Sequence, residues 1–270
     1  MRVLSTALFL GLCIGLAPSM HASVSFESGN GSACGTGLCF GGGAFTVTAN
    51  AYSTTGSSNT TLATATLGQY SYGLGDCNSN ENVGGCQVSG PPEHAISNQL
   101  DSGVYPSVRN YDFVLLTFSV PVNSITLVLN PFGSTVDMDA SYFSGKCASP
   151  CTVGSSGNLL TSVLGKVNSN GTNTLGTISG VTGVSAGQYT TVGSGSNQLQ
   201  YVTITPTSSV NWILIGASLN NYGGADSYSD YFKLDSIYSY STVPEPATFG
   251  MAGAALAALG LLRRRKLFSR

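Results

Sequence analysis

Asp112-Phe113-Val114-Leu115-Leu116-Thr117-Phe118-Ser119-Val120 and, after Pro121-Val122, Asn123-Ser124-Ile125-Thr126-Leu127-Val128-Leu129-Asn130 decide the fold class. Leu116, Phe118 and Val120 alternate with Leu115, Thr117 and Ser119. Ile125, Leu127 and Leu129 alternate with Thr126, Val128 and Asn130. A period of two places one row of side chains on a core and the other toward water, which is strand geometry. Tyr201, Thr203 and Thr205 oppose Val202 and Ile204 in the same way. The reading predicts strands at Phe45–Ala51, Thr60–Thr66, Asp112–Val120, Asn123–Asn130, Val136–Phe143, Leu159–Val167, Gln188–Val192, Gln200–Thr205, Trp212–Ala217 and Phe232–Tyr238. Turn clusters such as Asn130-Pro131-Phe132-Gly133 and Asn170-Gly171 separate them, and Ser53–Asn59 and Asn168–Gly187 read as loops. Many short strands with Gly-rich turns imply an all-β domain, a β-sandwich or jelly roll.

The ends have a different character. Arg2 precedes the apolar run Val3–Ala17, and Pro18-Ser19-Met20-His21-Ala22 follows, the pattern of a signal peptide. Cleavage after Ala22 is preferred, with Ser19 the alternative. Cys13 follows Leu12, which argues against a lipoprotein, because the residue before a lipidated Cys should be small. At the other end Val243-Pro244-Glu245-Pro246-Ala247-Thr248 leads into an apolar segment and then Arg263-Arg264-Arg265-Lys266. Ala247–Leu262 as a helix spans about 24 Å at ~1.5 Å per residue, against a hydrocarbon core of about 30 Å. The expectation is one short transmembrane helix with its basic cluster in the cytoplasm. Pro244 and Pro246 deny helix to Val243 and Glu245, keeping that stretch extended for a processing enzyme. The domains are thus a signal peptide at 1–22, an ectodomain at 23–242 and a sorting tail at 243–270.

Those C-terminal residues resemble the PEP-CTERM sorting signal of Gram-negative bacteria. The resemblance covers about a tenth of the chain. It implies export through the inner membrane, membrane association before processing, and removal of the tail by an exosortase-type membrane protease. It also implies delivery to the cell surface, outer envelope or an exopolysaccharide matrix.

Without its ends the chain loses most of its basic residues. Residues 23–242 hold Arg109, Lys146, Lys166 and Lys233 against eleven acidic residues, so four minus eleven gives −7. So few cations exclude nucleic acid as a partner. An acidic surface suited to solubility or cation uptake is expected. Six cysteines remain, as close pairs expected to form Cys34–Cys39, Cys77–Cys86 and Cys147–Cys151, each clipping a Gly-rich loop in an oxidising compartment. A zinc site lacks a second close pair and has only His94 to help.

Neither a catalytic nor a cofactor-binding set is expected. His94 is the sole histidine of residues 23–242 and sits in the loop Gly90-Pro91-Pro92-Glu93-His94. Asp137 and Asp139 are two apart on an expected strand, about 6.5–7 Å between Cα atoms. That spacing suits inverting glycoside hydrolysis by distance alone, but a solvent-facing strand edge is the plainer reading. Phe232-Lys233-Leu234-Asp235-Ser236-Ile237 resembles the closing strand of jelly-roll carbohydrate-binding-like domains. That resemblance implies sugar stacking by Tyr222, Tyr228, Tyr231 or Trp212, and calcium held by Asp226, Asp230 and Asp235. The expected function is a non-enzymatic surface or matrix protein that binds polysaccharide. The alternatives are a secreted glycan hydrolase using Asp137 and Asp139 or Glu93, and a structural or adhesive surface protein.

Overall fold

The computed structural model describes residues 20–42, 45–55, 61–77, 95–97, 111–131, 137–147, 181–189, 197–217 and 230–241, together with Gly253 and Leu256. Ala22–Ser239 make one compact unit. Met1–His21 and Tyr240–Arg270 make a second, in which Gly253 and Leu256 are helical and exposed. No helix among the described residues is long and apolar enough to cross a membrane. The expected signal peptide and membrane helix fall almost wholly outside those residues, except that Met20, His21 and Ala22 belong to the first strand and Gly253 and Leu256 are helical.

The larger unit is all β, in two antiparallel sheets. The strands are β1 (Met20–Ser25), β2 (Ser32–Cys34), β3 (Gly37–Gly42), β4 (Phe45–Thr55), β5 (Thr61–Thr64), β6 (Thr66–Tyr70), β7 (Gly73–Cys77), β8 (Ile96–Ser97), β9 (Asp112–Val122), β10 (Ser124–Asn130), β11 (Ala140–Cys147), β12 (Val181–Tyr189), β13 (Gln200–Ile204), β14 (Val210–Ala217) and β15 (Tyr231–Ser241). One sheet has seven strands in the order β13-β10-β15-β7-β6, with β1 and β8 also pairing to β15. The other has eight, β12-β11-β14-β9-β4-β3-β2, with β5 on β4.

The alternation along β10 and β13 holds. Ile125, Leu127, Leu129, Val202 and Ile204 are buried, and the register Leu127↔Val202 and Ile125↔Ile204 puts them on one face. On the eight-stranded sheet Val47, Ala49, Val114, Leu116, Ile213 and Ile215 share a face with Phe40. Phe40 meets Phe26, just past β1, edge to face at 4.8 Å, so the inner faces of the two sheets touch there. Phe26 is held in place by its N–H, which donates to Asp235 O at 2.8 Å. Cleavage after Ala22 would leave Val24 and Phe26, the buried residues of this segment, in the mature chain.

At β9, β11 and β14 the opposite face of the eight-stranded sheet is also largely buried. Phe113, Leu115, Phe143, Trp212 and Leu214 lie on it and are fully buried. Its packing needs a glycine, for Trp212 lies over Gly145, where an added Cβ would come within 2.6 Å of the ring. Gly73 opens β7 with φ 112°, and an added Cβ there would run into the backbone of Leu234.

Several expectations shift. Asp137–Asp139 lie before β11, which starts at Ala140 and runs on to Cys147, so the predicted Val136–Phe143 strand is displaced. β4 continues through Ser53–Thr55, and β12 occupies Val181–Tyr189, so Ser53–Thr55 and Val181–Gly187 are strand where loops are expected, while Gln188 and Tyr189 fall in the predicted Gln188–Val192 strand. β12 is an edge strand paired along its length with β11. The predicted Leu159–Val167 strand lies outside the described residues. Cys34–Cys39 is formed across the β2–β3 hairpin. Cys77 and Cys147 are disulfide-bonded too, while Cys86 and Cys151 lie outside the described residues.

Gly145→Val should cost about 1–3 kcal/mol by overpacking against Trp212. Thermal unfolding of this variant should begin several degrees below the parent; an unchanged midpoint would mean that the ring does not rest on Gly145.

Candidate functional site

Three carboxylates come together where strands of the two sheets begin. Asp137 and Asp139 precede β11 of the eight-stranded sheet, and Asp230 precedes β15 of the seven-stranded one. Asp137 and Asp230 form a parallel bridge, and Tyr231 N–H donates to Asp137 O at 3.0 Å. One carboxylate oxygen from each of Asp137, Asp139 and Asp230 lies within 4.8 Å of the others, and the residues are 6%, 2% and 2% exposed. Buried carboxylates this close repel one another unless protons, donors or a cation offset the charge.

The expected sites are rearranged accordingly. Asp137 and Asp139 are not a solvent-facing edge, since Asp137, Met138 and Asp139 are all buried. Their oxygens stand closer than the ~6.5–9.5 Å that inverting hydrolysis needs for its water. Asp230 joins them. Asp235 is not in this group: it lies in mid-β15, with Oδ2 accepting from Asn130 Nδ2 at 3.4 Å and Oδ1 from Ser236 Oγ at 2.8 Å. Asp226, Glu93, His94, Tyr222 and Tyr228 lie outside the described residues. Trp212 is fully buried, so it is no sugar platform, and Tyr231 is half-buried.

An acidic surface is not what the described residues show. Of Glu27, Asp76, Asp112, Asp137, Asp139, Asp230 and Asp235, five are buried and only Glu27 is fully open. Asp112 is met at Oδ2 by Ser97 N–H and Oγ at 3.3 and 3.0 Å. Spacing along one chain could not reveal this, because Asp76, Asp112 and Asp137 are far apart in sequence and buried by pairing across sheets.

Lys233 was counted as a surface cation, yet it is 7% exposed. Its register neighbour across β7 is a glycine, and its Nζ sits 3.9 Å from the centre of the Tyr70 ring. Burial pushes its ammonium down to about 8, with Asp76 pulling the other way. Burial also raises the phenols of Tyr52 and Tyr231.

Residues 242–266 match the PEP-CTERM protein-sorting motif. The chain carries a PEP-CTERM sorting signal. That signal marks an exported, surface-sorted protein and is the substrate signal of exosortase, a membrane protease. No curated protein and no solved structure matches the chain.

The lowered Lys233 value sets a sign. The folded state binds fewer protons than the unfolded chain between about 8 and 10.5, so stability rises with pH across that window. Above about 10 the raised phenols of Tyr52 and Tyr231 oppose it. Urea unfolding should give a midpoint that climbs from pH 8 to 9.5 in the parent and climbs less in Lys233→Met; parallel profiles would show that Lys233 is not buried as a cation.

Proposed function

We propose that the processed chain is a non-enzymatic component of the cell surface or of an exopolysaccharide matrix, and that its two sheets form a sandwich that binds polysaccharide. The sorting signal carries this reading, because it marks an exported, surface-sorted chain, and polysaccharide would be material such a chain meets at a cell surface. Two features of the domain support it. The seven-stranded sheet turns an outer face to solvent with an exposed tyrosine, Tyr201. Residues 23–242 hold only four lysines and arginines, which suits an uncharged polymer better than a nucleic acid.

Calcium belongs to the same reading as a structural ion. It was expected at Asp226, Asp230 and Asp235; the geometry favours Asp137, Asp139 and Asp230, three hard oxygen donors of the kind calcium takes. An ion there would join the starts of β11 and β15 and stabilise the folded state by an amount that grows with the logarithm of its concentration above Kd.

The test is a panel of polysaccharides offered to the purified protein with calcium or with a chelator. Binding without product formation is expected, together with a melting temperature that rises with calcium in the parent and not in Asp139→Asn. Reducing-end release would overturn the non-enzymatic reading, flat binding across the panel the carbohydrate reading, and a calcium-independent melt the ion.

A further inference from the structure

The outer face of the seven-stranded sheet can be traced residue by residue. Register pairs Val128 with Tyr201 and Thr126 with Thr203, so these four share the face opposite the buried Leu127 and Val202. Leu199 and Asn130 extend the same parity at the end where β10 finishes. Asn130 reaches across to β15, its Nδ2 donating to Asp235 Oδ2 at 3.4 Å. Thr126 and Thr203 bond to each other through their hydroxyls at 3.0 Å. Tyr201 is 57% exposed and Leu199 39%, the former the most exposed aromatic side chain among the described residues. Val128 is only 1% exposed although it lies on this outer face, so it is covered, and Tyr201 is its cross-strand neighbour.

We propose that Tyr201, Asn130 and Asp235 form a glycan-binding platform for an uncharged polysaccharide chain, a specification that rests on the carbohydrate reading above. The tyrosine supplies an amphipathic ring face for the apolar C–H face of a pyranose. One same-face step along β10, about 7 Å, leads from Val128 to Asn130. There an amide and a carboxylate, already oriented by each other, can donate to and accept from the sugar's hydroxyls. Thr126 and Thr203 hydroxyls continue the polar strip on the other side of Tyr201. Charge selects the polymer: the platform carries the Asp235 carboxylate, and its neighbouring lysine, Lys233, is buried against Tyr70, so an anionic chain meets repulsion. A protein partner fits less well, because one tyrosine and one leucine fall far short of the roughly 800 Å² that each side of a stable interface buries.

Affinity electrophoresis of the full-length chain in mild detergent, with a neutral β-glucan, dextran or alginate in the gel, tests this. The parent should be retarded by a neutral glycan and not by alginate. Tyr201→Ala should weaken that retardation at least tenfold, Tyr201→Phe should keep most of it, and Asn130→Ala should weaken it with an unchanged melting temperature. Lys146→Ala, on the other sheet, should match the parent. If Tyr201→Ala melts and binds like the parent, the platform is wrong while the carbohydrate reading stands. If the parent binds none of the glycans, both fall. Retardation by alginate alone overturns the charge argument.

Discussion

β9 and β14 lie side by side at the centre of the eight-stranded sheet, and apolar side chains are buried on both of their faces. Val114, Leu116, Ile213 and Ile215 face the inner layer with Phe40, while Phe113, Leu115, Trp212 and Leu214 face the other way. A strand buried on both sides puts no residue in water, so every position can stabilise the fold by desolvation, at about 25 cal/mol per Å² of apolar area. Its backbone must then be fully paired, because an unsatisfied buried N–H or C=O is costly. The antiparallel pairing from β11 through β14 and β9 to β4 meets that demand. The seven-stranded sheet is freer: its outer face reaches water at β13, and that is where side chains can serve a partner.

Sequence pattern and structure agree where burial is one-sided. Ile125–Leu129 and Tyr201–Ile204 alternate because one face of β10 and β13 is buried and the other is largely open, Val128 beside Tyr201 being the covered exception. The unbroken runs Phe113–Leu116 and Trp212–Ile215 also read as strands, but their double burial is invisible, since an apolar run does not say how many faces it hides. The β2–β3 hairpin, β7 and most of β12 escaped notice because they are short or broken by glycine, with Gly37, Gly41 and Gly42 in β3, Gly73 and Gly75 in β7, and Gly183 and Gly187 in β12. Those strands are held by backbone pairing, a disulfide or a glycine that fits against a neighbouring chain. Propensity and periodicity are silent on such forces.

The candidate site was legible only in part. Asp137, Asp139 and Asp230 were each noticed, but as two separate groups. The parallel bridge between Asp137 and Asp230 unites them, and no spacing rule predicts a contact between residues 93 positions apart. Trp212 is a stacking residue only by the resemblance to carbohydrate-binding-like domains, and in the structure it is fully buried over Gly145. Tyr201 was read only as part of an alternating strand; its value lies in its exposure beside Asn130 and Asp235, which needed the register of β10, β13 and β15. The tail was legible at once, because an extended motif, an apolar segment and a basic cluster are local features that need no fold.

Hydrogen exchange of the native protein, resolved by mass spectrometry, tests the double burial of the central strands most directly. Amides of Phe113–Leu116 and Ile213–Ile215 should exchange only through global unfolding and be the slowest in the chain, with those of Gln200–Ile204 on the edge strand opening earlier. Equal or faster exchange in β9 and β14 than in β13 would contradict a core built on both sides of one sheet.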